Sequence, residues 1–154
     1  MTHIQLFKKL KSVFSDEKIL LAGSCLLKYH NLIKRNPGDL DIICRVDNKD
    51  FIRFCKTLQF LFPVRGGYGY YTNNPNCIEH IQFAIDGIKV CVFTCSLSHF
   101  DKIKSKQFKE CVSLENVIEL KKFYITKLNP KHPSYTKHHA DLKILNKLPQ
   151  TILS

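Results

Sequence analysis

The stretch CIEHIQFAIDGIKVCVFT, residues 77–94, places Asp86-Gly87 between two β-rich runs and constrains the fold more than any other part of the chain. Both central residues of a type I′ turn need positive φ, which Asp and Gly tolerate, and a two-residue turn sets the register of its strands. With Ile85 opposite Ile88, Phe83 faces Val90, Gln82 faces Cys91 and Ile81 faces Val92. Ile81, Phe83, Ile85, Ile88, Val90 and Val92 then form one wholly apolar face, while His80, Gln82, Lys89 and Cys91 share the other. One side of the sheet is committed to a core, and the other is open to polar chemistry.

The remaining periodicities supply helices and two further strands. Ile4, Phe7, Leu10 and Phe14 recur at helical spacing, and KILLAG (18–23) reads as a buried strand ended by Gly23. Residues 24–33 return to helical spacing before Asn36-Pro37-Gly38 breaks the chain, and DLDIICRV (39–46) is the next strand. Asp50 is expected to cap a helix reaching Leu61, Ser113 to cap one from Leu114 to about Leu128, and a last helix to run from Tyr135 to Leu148. RGGYGYYTNN (65–74) has no usable period; Tyr68, Tyr70 or Tyr71 could stack a base there, or the stretch is a plain loop tip. At 154 residues the chain holds one core, so residues 1–154 are expected to form one domain. The pattern predicts an α/β (α+β) fold: a small mixed β-sheet with helices chiefly on one face and two C-terminal helices.

Charge and cysteine usage narrow the setting. Lys and Arg number 24 against 13 Asp and Glu, a formal charge of +11, which suits an anionic partner such as RNA or nucleotide phosphates or, equally, a solvated lysine-rich surface. Seven cysteines, an odd number without a CxxC pair, lie mostly in apolar runs and argue for free thiols in a reducing cytosol. No stretch reaches the roughly 20 apolar residues of a membrane span, so a cytoplasmic chain with no membrane partner is expected.

The stretch LLAGSCLLKYHNLIKRNPGDLDIIC (20–44) carries the chemistry. Alternation along a strand projects Asp39 and Asp41 to one side and sends Leu40 and Ile42 into the core. Two carboxylates held close repel unless a cation sits between them, which suits Mg²⁺ or Mn²⁺ with open positions for phosphate oxygens. Gly23 allows close backbone approach, and the amides of Ser24 and Cys25 open a helix whose start favours phosphate.

Gly23-Ser24 at a strand-helix turn, then Asp39-Leu-Asp41 after fourteen intervening residues, resembles the polymerase-beta-like nucleotidyltransferase superfamily. LENVIELK (114–121) and KHHADL (137–142) resemble in part the abortive-infection, toxin-antitoxin type of these enzymes, with Lys121 and Asp141 at matching positions near the nucleotide and His138 where an acid is usual. The resemblance implies transfer of a nucleoside monophosphate from an NTP to a hydroxyl of RNA, such as a tRNA end, or of a protein. Asp39 and Asp41 would hold the metal, Gly23 and Ser24 the phosphates, and Lys121 the charge of the leaving pyrophosphate. On the residues alone, Lys121 and Asp141 are an ion pair or two wet helix faces, Lys34, Arg35 and Arg65 solvated charge or a steer for triphosphate, and His138 and His139 exposed side chains.

The departure is the third carboxylate, whose place beside the Asp pair falls on Cys91, with Asp101 and Glu115 the acids that could return to the site instead. A thiol is a poor substitute for a Mg²⁺-binding carboxylate or a base. The competing expectation is therefore a catalytically degenerate member that binds nucleotide or RNA, or acts as an antitoxin-like regulator of a cognate partner.

Overall fold

The computed structural model describes residues 1–14, 18–64 and 76–154. Helix α1 (His3–Phe14) precedes β1 (Ile19–Ala22), α2 (Gly23–Tyr29), β2 (Asp39–Arg45) and α3 (Lys49–Leu61). Strands β3 (Glu79–Ile85) and β4 (Ile88–Cys95) follow, then α4 (Leu97–Ile103), α5 (Leu114–Lys127), α6 (Pro133–Leu145) and a short 3₁₀ turn at Gln150–Ile152. The strands form one mixed sheet in the order β1-β2-β4-β3, parallel only between β2 and β4. The chain is thus a mixed α/β fold, and no helix among the described residues is long and apolar enough to cross a membrane.

The Asp86-Gly87 turn sets the hairpin as expected, with φ of 50° and 76° and Ile85 paired to Ile88, Phe83 to Val90 and Gln82 to Cys91. Ile81, Phe83, Val90 and Val92 join Leu40, Ile42 and Cys44 of β2 in the core, which also takes in Phe7 and Leu10 of α1, Leu26 of α2 and Phe51 of α3. The opposite face is covered in part by α5, since Ile43 and Phe93 share a cleft with its Asn116 and Leu120.

Several helix limits differ from those expected. Asn48, whose side chain accepts from the Phe51 amide, caps α3 instead of Asp50. Helix α2 stops at Tyr29, short of residue 33, because Asn31 takes φ +58°, a left-handed conformation that a helix cannot continue through. Helix α6 starts at Pro133, where a missing amide costs nothing, and ends at Leu145. Helix α4, unforeseen, is a seven-residue segment capped by Ser96. Ser113 caps α5 as expected, accepting from the Asn116 amide at 3.2 Å.

The entry into α5 is tied to the sheet. The Leu21 amide donates to the Glu110 carbonyl at 2.8 Å, and the Val112 amide donates to the Leu21 carbonyl at 3.0 Å. That pairing sets the start of α5 beside the end of β1.

The turn yields a direct test. A Cβ at Gly87 would meet nothing within 4 Å, so its left-handed φ of 76° is the sole obstacle to a side chain. Gly87→Ala should lower unfolding free energy by about 1–2 kcal/mol in urea titrations with an unchanged m-value; full stability would mean the turn relaxes to another type.

Candidate functional site

Strand β2 lays the foundation of the site. Leu40, Ile42 and Cys44 are fully buried, whereas Asp39, Asp41 and Ile43 project to the opposite face and are half-buried. The register sets Asp41 beside Ala22 of β1 and Cys91 of β4, and Asp39 beside Lys89. One ligand atom each from Asp39, Asp41 and Cys91 falls within 4.8 Å of the others. Cys91 occupies the place that the hairpin register assigns it. Asp101 and Glu115 are exposed and belong to no such cluster among the described residues, so neither supplies a third carboxylate here.

Gly23 makes the pair possible. It takes φ +63°, and a Cβ added there would collide with the Asp41 carboxylate, lying 2.9 Å from its Cγ. The β1–α2 turn thus seats its backbone directly against that side chain. Asp41 Oδ1 is buried and accepts no hydrogen bond among the described residues. Leaving such an oxygen without a donor costs about 1–3 kcal/mol. Burial, then the neighbouring Asp39 charge, push the Asp41 pKa up to about 7 against the pull of Lys121 and Lys89. A divalent cation would neutralise the carboxylate repulsion and occupy the orphaned oxygen together, so these residues suit one. Burial, followed by the charges of Asp41 and Asp39, pushes the Cys91 thiol far above its ordinary range. It remains protonated at neutral pH and is no base.

Behind the carboxylates lies a buried ionic network. Lys121 Nζ is 2.9 Å from Asp141 Oδ2, and Arg35 grips the same carboxylate with two hydrogen bonds of 2.7 and 2.8 Å. Arg35 also donates to Ser24 Oγ at 3.4 Å. Lys121 and Asp141 are therefore an ion pair withdrawn from water, at 4% and 1% exposure, and not wet helix faces. Burial lowers the Lys121 pKa, with Asp141 partly offsetting it, so its charge depends on this partner. Burial raises that of Asp141, but the Arg35 hydrogen bonds and Lys121 outweigh it and hold the acid below its ordinary value.

His138, expected to be exposed, is buried, with Nδ1 3.1 Å from Lys121 Nζ; His139 is half-buried. Burial, then the Lys121 charge, lower the His138 pKa to about 4, so the ring is neutral and accepts from the ammonium through Nδ1. Lys121 and Asp141 lie together beside the carboxylates, and Arg35, expected only as solvated charge or a steer for triphosphate, joins them. Its partner lies 106 residues away, and no local pattern signals that pairing.

Two clefts flank the carboxylates. One, of about 180 Å³, is walled by Ser24, Arg35, Asp39, Asp41, Lys137 and His138 among others. The second, of about 70 Å³, runs from Gly23 and Asp41 beneath α5 past Lys121 and Tyr124. Gly23, Ser24, Asp39, Asp41, Cys91, Lys121 and Asp141 thus gather in one region. Arg65, Tyr68, Tyr70 and Tyr71 lie outside the described residues.

No protein-family model matches the sequence, and no curated protein matches it. What the site does has to follow from its own chemistry.

Removing one member of the buried pair strands the other. Lys121→Met and Asp141→Leu should each destabilise by about 3–5 kcal/mol, and the double variant by clearly less than their sum. Additive losses in chemical denaturation would show that the two do not interact.

The lowered His138 pKa makes a pH prediction with a definite sign. The unfolded ring takes up a proton near pH 6.5 and the folded ring only near pH 4, so its contribution to stability falls as pH drops from about 6.5 to about 4. Asp41, whose pKa is raised, works in the opposite sense across much of this window. The effect should therefore appear as a difference: wild type should lose more stability than His138→Gln between pH 7 and pH 5. Parallel profiles would place a charged imidazolium in the folded site.

Proposed function

We propose that this chain is a minimal nucleotidyltransferase-like protein that binds an NTP with Mg²⁺ or Mn²⁺ and transfers the nucleoside monophosphate to a hydroxyl of RNA, tRNA-like in kind, or of protein. The observation that carries this is the Asp39–Asp41 pair on one strand face, seated against Gly23, with a buried Asp41 oxygen that no donor among the described residues satisfies. The surplus of 11 positive charges suits a nucleic-acid acceptor, and seven free thiols suit a reducing, cytoplasmic setting.

In this reading Asp39 and Asp41 hold the cation, which supplies Lewis-acid charge to the phosphoryl oxygens. Gly23 and Ser24 take the β and γ phosphates, beside the Arg35 guanidinium. Lys121, held in place by Asp141 and His138, offers positive charge to the pyrophosphate as it leaves. Asp141 acts as a positioning residue, since both its oxygens are engaged by cations. The acceptor oxygen bonds to the α-phosphorus, the bond from that phosphorus to the bridging oxygen breaks, and pyrophosphate departs. The acceptor's proton passes to solvent, because Cys91 is a protonated thiol.

Cys91 itself favours a second reading: a degenerate transferase that keeps its phosphate site and acts as a nucleotide- or RNA-binding, antitoxin-like regulator of a partner. One set of proteins separates the two. Incubated with each α-labelled NTP, Mg²⁺ or Mn²⁺ and cell extract, wild type should label RNA or protein, Cys91→Asp should raise the rate at least about tenfold, and Asp39→Asn/Asp41→Asn should abolish it. A silent wild type that Cys91→Asp revives would support the regulatory reading. Metal-independent NTP binding, equal in wild type and the double Asn variant, would remove the site.

A further inference from the structure

The sheet face that bears the carboxylates changes character along its length. Paired positions of β2 and β4 run Asp39–Lys89, Asp41–Cys91, Ile43–Phe93 and Arg45–Cys95, and successive rows on one face lie about 6.6 Å apart. On the Asp39 side the surroundings are cationic and hydroxylic, with Arg35, Lys137, Ser24 and Ser134 in the 180 Å³ cleft. On the other side Ile43 and Phe93 form an apolar row. Asn116 and Leu120 of α5 roof it, and these four side chains line both the space beside Asp41 and an adjoining cleft of about 240 Å³. The two spaces therefore meet at these four side chains, and the larger lies one row beyond the carboxylates.

A nucleoside triphosphate has the same polarity: a highly charged tail, a ribose, then a flat ring with apolar faces and a hydrogen-bonding edge. We infer that Ile43, Phe93, Asn116 and Leu120 form the nucleoside subsite of this protein, with the base lying under α5 and the phosphates turned towards Arg35 and Lys137. This rests on the proposal that Asp39 and Asp41 carry the metal-bound phosphates. One row spacing from Asp41 leaves room for the ribose. The Phe93 ring is stacked on His80 at 4.4 Å with 6° between planes, which holds that wall in a fixed orientation. Asn116 offers both a donor and an acceptor to a base edge. The reverse orientation would press the triphosphate on an apolar row in a cleft where Glu119 offsets Lys102, and leave Arg35 and Lys137 facing a neutral base.

The mode of entry of α5 explains why these residues reach the site. Ser113, whose hydroxyl caps the helix, donates its own amide to the Ile103 carbonyl at 2.7 Å, and Val112 is hydrogen-bonded to Leu21. The first turns of α5 are therefore anchored against the end of β1, with Asn116 next to the Asp41 space.

Calorimetry with Mg²⁺ and two kinds of probe tests the inference: inorganic tripolyphosphate, which has no nucleoside, and each of the four common NTPs. The proteins are wild type, Asn116→Ala, Leu120→Ser and Asp39→Asn/Asp41→Asn; the first two substitutions are neutral and half-buried, so they leave the field at the phosphates unaltered. At least one NTP should bind wild type about tenfold more tightly than tripolyphosphate. Asn116→Ala and Leu120→Ser should each remove most of that advantage while leaving tripolyphosphate affinity within about twofold, and the Asp pair variant should weaken both probes. Tripolyphosphate binding with no NTP advantage, or an advantage that survives both α5 variants, would overturn the subsite and leave the metal-phosphate site standing. Metal-independent binding of both probes would overturn the phosphate site instead, and failure of both to bind wild type would overturn the two together. Should Leu120→Ser lose its helical circular dichroism, Asn116→Ala decides.

Discussion

Asp41 packs against the backbone of Gly23, and the elements around it are arranged to permit that contact. A side chain at position 23 would occupy the carboxylate's place, so the β1–α2 turn must carry glycine, and its φ of +63° would strain any other residue in any case. Strand β1 ends at Ala22 beside Asp41, and the segment that pairs with β1 leads directly into α5. The carboxylate thereby lies at the meeting of two strands, one short helix and one long one. Its buried oxygen is satisfied by none of them. Leaving that oxygen without a donor costs stability, and a bound cation would recover it.

The ionic network behind Asp41 follows the same logic. Asp141 is a fully buried carboxylate held by Arg35 from the loop before β2 and by Lys121 from α5. Desolvating Asp141 and Lys121 is expensive, and a well-packed apolar cluster of equal volume would be at least as stable. What an apolar cluster would lack is a fixed ammonium group. Lys121 is long and flexible in water; here Asp141 and the neutral His138 hold its Nζ between them, close enough to Asp41 to offset part of the rise in that acid's pKa. The network also joins α5 to α6 and to the chain between α2 and β2.

Much of this was legible in the sequence where side-chain alternation and turn chemistry act over short distances. The Asp86-Gly87 turn carried the register, and the register carried Cys91 to its place beside Asp41. Asp39 and Asp41 share a face because any strand would put them there. The errors came where a distant partner overrides local character. His138 reads as a polar helix residue next to Lys137, yet it is buried because α5 lies across it. Arg35 reads as one of two consecutive surface cations, and only folding brings it to Asp141. Helix α4 was missed because seven residues are too few to show a period, although Ser96 stands in the capping position three residues before His99.

Cys91 ties the energetics of the site to what it does. Three carboxylates within 4.8 Å of one another on a half-buried strand surface would repel so strongly that a chain without metal would lose stability or bind protons. With a thiol in the third position, protonated by burial and adding no charge, the repulsion falls to one pair, and Lys121 and Lys89 suffice to moderate it. The metal-free fold is thus easier to maintain, and a thiol there would hold a hard divalent cation less well, and serve less well as a base, than a carboxylate would. On the proposed reading a phosphate-bearing ligand would bring a larger share of the charge that completes a metal's coordination, since two carboxylates alone would hold it loosely. On the proposed reading such a site would fill only when nucleotide and metal arrive together, which would suit a slow transferase and a nucleotide-responsive regulator alike and would make residue 91 the position at which the two diverge.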